Sequence, residues 1–332
     1  MRDLTQPSPT RRGKIFGMDE KLKQSILKTL AYFDVFGYPL TKEEIWKYLV
    51  YYGYPDNTDL WITYTDFVCQ LQQLEQLHQF QHKDGFYFLS GREENVAIRQ
   101  RAVKWFEQKM KIAKRAVKKI RWAPFLRAVF VCNTLAGPGL KEESDIDVFI
   151  ITRRGRIWLV RFLATLVLKF FRLRTFKNKT KDKVCLSFYV TDDNLNLSKI
   201  AIDEDVYLMY WLAQLIPIYD PDNLRSSIQR ANQWVKKYLP NAFVPFELSE
   251  RLRVGNRKIS KFVKNLLEKI WGGGYGDLME RQAREAQKAR IKMSYKGAGV
   301  IVNDSMLKFH ENDRRAEYRQ RWLEKISNSP NF

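Results

Sequence analysis

From Glu20 onward, apolar residues recur every three or four positions. Leu22, Ile26, Leu30 and Phe33 mark one helical face, and the run stops at Gly37-Tyr38-Pro39. Thr41 and Glu44 have the spacing of a capping box, predicting a second helix with Ile45, Tyr48 and Leu49 on one side. A turn-rich loop containing Gly53, Pro55, Asp56 and Asn57 follows, and then a third helix over Thr65–Leu77 with Phe67, Leu71, Leu74 and Leu77 inward. Two aromatic runs, Phe80-Gln81-His82 and Phe86-Tyr87-Phe88-Leu89, flank Asp84-Gly85 and read as a hairpin. Residues 93–122 then form one long helix, with Val103, Phe106, Met110, Ala113 and Val117 in helical register. After Pro124 the period changes. Ala128–Cys132, Ser144–Ile151 and Lys183–Val190 read as buried strands. Beyond them the pattern is helical again. One helix contains Val206, Tyr210, Leu212, Ala213 and Ile216; the second spans Leu224–Leu239; the third spans Leu248–Trp271 with Ile259, Phe262, Val263, Leu266 and Leu267 in register. Gly272-Gly273-Gly274 is a hinge candidate, followed by a charged helix from Asp277 to Lys292 and a polar, basic tail at Leu307–Arg315 that either caps the helical bundle or closes over the cleft to offer Lys308 or Arg314 to phosphates.

This order divides the chain into a flexible N-terminus (1–18), a three-helix-plus-hairpin unit (19–92), a connector helix (93–123), a small mixed-sheet core (124–198) and a C-terminal helical region (199–332). The class is therefore α+β. The first unit resembles a winged helix-turn-helix. In the DNA-binding form of that fold the third helix enters the major groove and is basic. Here its outward residues are Asp66, Gln70, Gln72, Gln73, Glu75 and Gln76, so contact with nucleic acid, contact with protein and a purely structural role all remain open.

The chain of 332 residues carries 58 Lys and Arg against 37 Asp and Glu, a formal charge of +21. An excess of that size favours a polyanionic partner such as nucleic acid, nucleotide phosphates or an anionic surface. Its densest run is the connector, where Lys104, Lys109, Lys111, Lys114, Arg115, Lys118, Lys119 and Arg121 form either a phosphate track or a solvated face. The three cysteines, Cys69, Cys132 and Cys185, are widely spaced and lack a CxxC, which predicts a reducing cytoplasm and neither a disulfide framework nor a zinc site. The N-terminal residues contain no apolar core of a signal peptide. Ile157–Phe171 is apolar but falls short of the roughly 20 residues needed to span a bilayer. Arg161 and Lys169 interrupt it, so it reads as a core helix, with an interfacial membrane helix as the minor alternative.

The candidate chemistry sits between the first two strands. Asn133-Thr134-Leu135-Ala136-Gly137-Pro138-Gly139 is a small-residue turn, and Ser144-Asp145-Ile146-Asp147 opens the second strand. Strand alternation sets Asp145 and Asp147 side by side on one face. Two adjacent carboxylates repel unless a cation lies between them, and such hard oxygen donors suit Mg2+ or Mn2+ bridging to phosphates. Gly137 and Gly139 offer backbone N–H groups to those phosphates. The stretch resembles the DNA-polymerase-β-like nucleotidyltransferases, including small bacterial and antibiotic-modifying members. Their motif is a strand, Gly-Ser, about ten loop residues, and Ser-Asp-x-Asp on the next strand. Asn133-Thr134 falls at the Gly-Ser position, and the chain keeps the hydroxyl but not the glycine. The resemblance implies that Asp145 and Asp147 bind metal, that Asn133, Thr134, Gly137, Gly139 and Ser144 contact a nucleoside triphosphate, and that a third carboxylate stands on a neighbouring strand. Cys185 occupies that third position, with Asp192 and Asp193 as displaced substitutes. Two expectations follow: a metal-dependent transferase moving a nucleoside monophosphate to an acceptor, or a degenerate relative that binds nucleotide or nucleic acid without turnover.

Overall fold

The computed structural model describes residues 19–51, 62–176, 179–255, 258–294, 297, 299–310 and 312–328. The expected flexible N-terminus and the loop at Gly53–Asn57 lie outside these residues. The first unit contains α1 (Glu20–Asp34), β1 (Leu40–Thr41), α2 (Lys42–Lys47), α3 (Tyr64–Gln76), β2 (Gln81–Lys83) and β3 (Phe86–Phe88). The Thr41/Glu44 capping box is formed, and Thr63 with Asp66 forms a second one that starts α3 one residue earlier than expected. Asp84 and Gly85 both have positive φ, as a two-residue hairpin loop requires. The hairpin pairs Lys83 with Phe86, and β1 completes a three-stranded sheet in the order β1-β3-β2. Two positions on α3 differ from expectation. Gln70 is buried and accepts the backbone N–H of Asp19, whereas Leu77, the C-cap residue, is exposed.

Helix α4 (Glu94–Ile120) leads to the main sheet, of order β7-β4-β5-β6-β9-β8. Its strands are β4 (Leu126–Val131), β5 (Ile146–Thr152), β6 (Val184–Thr191), β7 (Ile216–Tyr219), β8 (Val300–Val302) and β9 (Met306–Phe309). A four-residue α5 (Asn133–Ala136) lies between β4 and β5, and α6 (Ile157–Phe170) is the crossover that allows β5 and β6 to run parallel. All other pairings in this sheet are antiparallel, so the sheet is mixed. The remaining helices are α7 (Val206–Gln214), α8 (Leu224–Ala231), α9 (Lys258–Ile270), α10 (Gly274–Ser294) and α11 (Arg315–Asn328).

Residues 199–332, read as helical, thus also supply three strands. Ile216, assigned to a helix from sequence, begins β7 instead. β7 is an edge strand, where Pro217 deprives the ladder of nothing it needs. The tail at Leu307–Phe309 is not a cap but an inner strand of the sheet. The helix expected over Leu224–Leu239 breaks at buried Asn232. That side chain accepts the N–H of Leu197 and donates to the carbonyls of Leu195 and Ile228. The third helix starts only at Lys258, and its Ile259, Phe262 and Leu266 face solvent. The glycines at 272–273 separate α9 from α10.

Alternation along the strands feeds two cores. Val129, Val131, Val148, Ile150 and Leu307 face α4 and α6, together with Ala283 and Ile291 of α10. Phe130, Phe149, Phe188 and Met306 face the opposite way, into a core continuous with α1, α3, α7 and Trp322 of α11. α6 is a core helix on one face only: Ile157, Val160, Ala164 and Leu168 are buried, while Leu166 and Phe170 are exposed. Among the described residues no helix is long and apolar enough to cross a membrane.

Candidate functional site

The pairing of β4 with β5 sets Val131 opposite Val148, and the N–H of Cys132 donates to the carbonyl of Asp147. The chain therefore leaves β4 at Asn133 directly beside the start of β5. On its other side β5 pairs with β6, and Asp147 lies opposite Cys185. Asp145 and Asp147 are half-buried between the buried Ile146 and Val148, as alternation requires. One ligand atom from each of Asp145, Asp147 and Cys185 lies within 4.8 Å of the others. Burial, followed by the charge of Asp147, lifts the Asp145 carboxyl to about 6. Burial also pushes the Cys185 thiol well up, reinforced by both carboxylates, so without a cation it stays protonated and donates to them. Two repelling carboxylates beside a sulfur form a donor set that fits a divalent cation. The oxygens suit Mg2+ or Mn2+, and the softer thiol tilts the set toward Mn2+.

Asp192 and Asp193 do not join this cluster. They follow the far end of β6, where the Asp192 carboxylate accepts the backbone N–H of Arg154 and Asp193 pairs with Arg154 at 3.3 Å. Cys185 is the second residue of the eight-residue β6, whereas both aspartates follow its last residue, Thr191, so neither reaches the third-ligand position.

Of the turn residues, Asn133 has a left-handed backbone, φ 53°. Glycine adopts this conformation freely and asparagine is among the side chains that tolerate it. Its amide is engaged: Oδ1 accepts Trp211 Nε1 at 2.7 Å, and Nδ2 lies 3.4 Å from His310 Nε2. Gly137 does not offer its N–H to a ligand, because that group closes α5 by donating to the carbonyl of Asn133. A Cβ at Gly137 would stand 2.4 Å from Gln214 Oε1, the tip of a side chain that can turn aside, and 3.3 Å from the Asn133 carbonyl. Ser144 is also structural. Its Oγ accepts the N–H of Lys141.

Lys109 was read as part of the cationic face of α4, yet it is buried. Its ammonium donates to the carbonyls of Glu142 and Ser144 and pairs with Asp182, each within 2.8 Å. It clamps the loop that delivers Asp145. Lys114 and Arg121 likewise donate to backbone carbonyls, of Glu250, Arg251 and Gly255. Three of the eight basic residues of the expected phosphate track are therefore engaged within the fold.

Two neighbouring cavities open from Asn133. The larger, about 330 Å³, is lined by Thr134 and Gly139, by the basic Lys141, Arg314 and Arg321, and by the rings of Tyr32, Phe36, Tyr207, Trp211 and Tyr318. No carboxylate lines it among the described residues. The smaller, about 140 Å³, includes His310, Lys308 and Arg315. Burial holds the His310 imidazole below its ordinary value, against the opposing charge of Asp147. Lys308 is not available to a ligand in the way the tail suggested, because it donates to Gly299 and Asp313. Arg314 and Arg321 line the larger cavity, but Arg314 is paired there with Glu317 and Arg321 donates to the carbonyl of Val35. Tyr207, Trp211, His310, Tyr318 and Arg321 escape a reading by motif because they come from α7, the residue after β9 and α11, which meet the turn only in three dimensions.

No family model matches the chain, and no curated protein matches it either.

Proposed function

We propose that the chain is a metal-dependent nucleotidyltransferase that moves a nucleoside monophosphate from a nucleoside triphosphate to an acceptor. One observation carries this reading. A carboxylate pair at the start of β5 lies beside a turn that opens into a cavity whose lining, among the described residues, has three basic side chains and five aromatic rings and no carboxylate, the pair itself standing outside that lining. Lys141, Arg314 and Arg321 suit a polyphosphate and the rings suit a base. Asp145 and Asp147 would hold the divalent ion, which neutralises phosphate charge when bound. Thr134 and Gly139 line the phosphate side, while Asn133 shapes the turn.

A second reading, nucleotide binding without turnover, is favoured by Cys185. A thiol at the third position carries no charge in its protonated form and adds less to a two-cation site than a carboxylate. The winged-helix-like unit adds little support for DNA binding. Asp66, Gln72, Gln73, Glu75 and Gln76 of α3 lack the positive charge that groove entry demands. α1 is committed to the fold, with Tyr32 stacked on Tyr210 at 4.1 Å and the carbonyl of Lys28 accepting Trp322 Nε1.

Incubation with each α-labelled nucleoside triphosphate, Mn2+ and fractionated RNA, protein or small-molecule acceptors separates the readings. Label transfer that disappears in Asp147→Asn supports the transferase. Tight metal-dependent binding without transfer to any fraction supports the second reading.

A further inference from the structure

Helix α9 presents its apolar stripe outward. An amphipathic helix on a water-soluble protein turns its apolar face to the core. In α9 it is the polar stripe, Ser260, Lys264 and Glu268 at four-residue spacing, that faces the protein. Ser260 and Lys264 are buried, and the ammonium of Lys264 donates to the carbonyl of Leu126. Glu268 accepts the N–H of Phe125 at 2.7 Å and pairs with Arg127 at 2.8 Å. These charge-assisted bonds fix the rotation of the helix, so the outward stripe is built in. Ile259 is 72% exposed, Phe262 68%, Leu266 48% and Ile270 55%. These positions follow a helical period and form one strip.

The charges beside the strip have one sign. Lys258, Lys261 and Lys269 are exposed next to it, and the single acid of the helix, Glu268, is turned inward onto Arg127. We propose that α9 is a docking element for an anionic lipid surface. At 13 residues it is about 20 Å long, too short to cross a bilayer but suited to lie in the headgroup region. There the apolar strip would be sunk and the lysines would reach up to lipid phosphates. The alternative occupant, a second copy, would bring two sets of these lysines together with no carboxylate on the strip to answer them. Lipid phosphate answers them, and the +21 charge of the chain acts in the same direction.

The test is sedimentation of the full-length protein with vesicles of phosphatidylcholine alone and of phosphatidylcholine mixed with phosphatidylglycerol. The expected result is binding to the mixed vesicles only. That binding should weaken about tenfold or more in Phe262→Ser/Leu266→Ser, and also in Lys258→Ala/Lys261→Ala/Lys269→Ala. Both variants should keep the wild-type circular dichroism and melting temperature, because the changed side chains are exposed. Asp145→Asn/Asp147→Asn should bind vesicles as the wild type does, which separates this proposal from the nucleotide reading. Absence of binding to anionic vesicles, or binding undiminished by the Phe262/Leu266 change, would overturn it. So would a concentration-dependent dimer abolished by the same change, which would assign the strip to a second copy.

Discussion

Asp145 and Asp147 share a half-buried pocket, and the cost of that arrangement is measurable. A carboxyl lifted to about 6 carries roughly 3 kcal/mol against its ionised form at neutral pH. Because the folded-state value is raised, the stability associated with Asp145 is fully present below its ordinary value near 4. It is lost as pH rises through about 6. Chelated protein is therefore expected to melt lower at pH 7.5 than this group allows at pH 5, and Mn2+ to recover the loss only above pH 6. Asp145→Asn should raise the melting temperature of the chelated protein by a few degrees and abolish the Mn2+-induced rise. A variant that melts below wild type under chelation would show that the pair is not frustrated. Cys185 supplies a second test at this scale. Cys185→Asp completes a carboxylate triad on adjacent strands and should shift preference from Mn2+ toward Mg2+ in titrations followed by calorimetry. An unchanged preference would mean that position 185 does not face the cation.

At the level of elements, the site is delivered by a strand held from behind. Lys109 on α4 fixes the loop before β5 through two carbonyls and Asp182. Lys109→Met leaves those acceptors buried without a donor and should cost about 3 kcal/mol, with a parallel loss of metal affinity. Destabilisation without any change in metal affinity would confine Lys109 to the core. Much of the local structure was legible in the sequence because its signals are short-range. The Thr41/Glu44 box, the Asp84-Gly85 turn and the alternation of Asp145-Ile146-Asp147-Val148 each act within four residues. β7 was lost because Leu215-Ile216-Pro217 resumes the apolar run of α7 after a single polar residue, Gln214, too short a break to separate two elements. β9 was lost because it is only four residues long, buried throughout and carries Lys308 in its middle, so it shows no alternation. The cationic face of α4 looked uniform in sequence, and only tertiary contacts distinguish buried Lys109 from exposed Lys118.

At the scale of the whole molecule, the aromatic wall of the larger cavity shows why the chain is tied together so widely. Tyr32 and Phe36 come from the first unit, Tyr207 and Trp211 from α7, and Tyr318 and Arg321 from α11. The same segments share one core with a face of the main sheet. Heat should therefore unfold the N-terminal unit and the sheet in one transition. Trp322→Ala, which empties a fully buried site and removes the indole donor to the carbonyl of Lys28, should lower that transition by about 3–5 kcal/mol. Two separate transitions by calorimetry would contradict a shared core. The central claim concerns the cavity and the carboxylates acting together, and equilibrium binding of labelled nucleoside triphosphates tests it most directly. Wild type and Asp145→Asn/Asp147→Asn are each titrated with Mg2+, with Mn2+ and with chelator. The account predicts binding that requires the divalent ion and is lost in the double variant while its fold is retained. Binding that survives both the chelator and the double variant, or no binding under any condition, would contradict it.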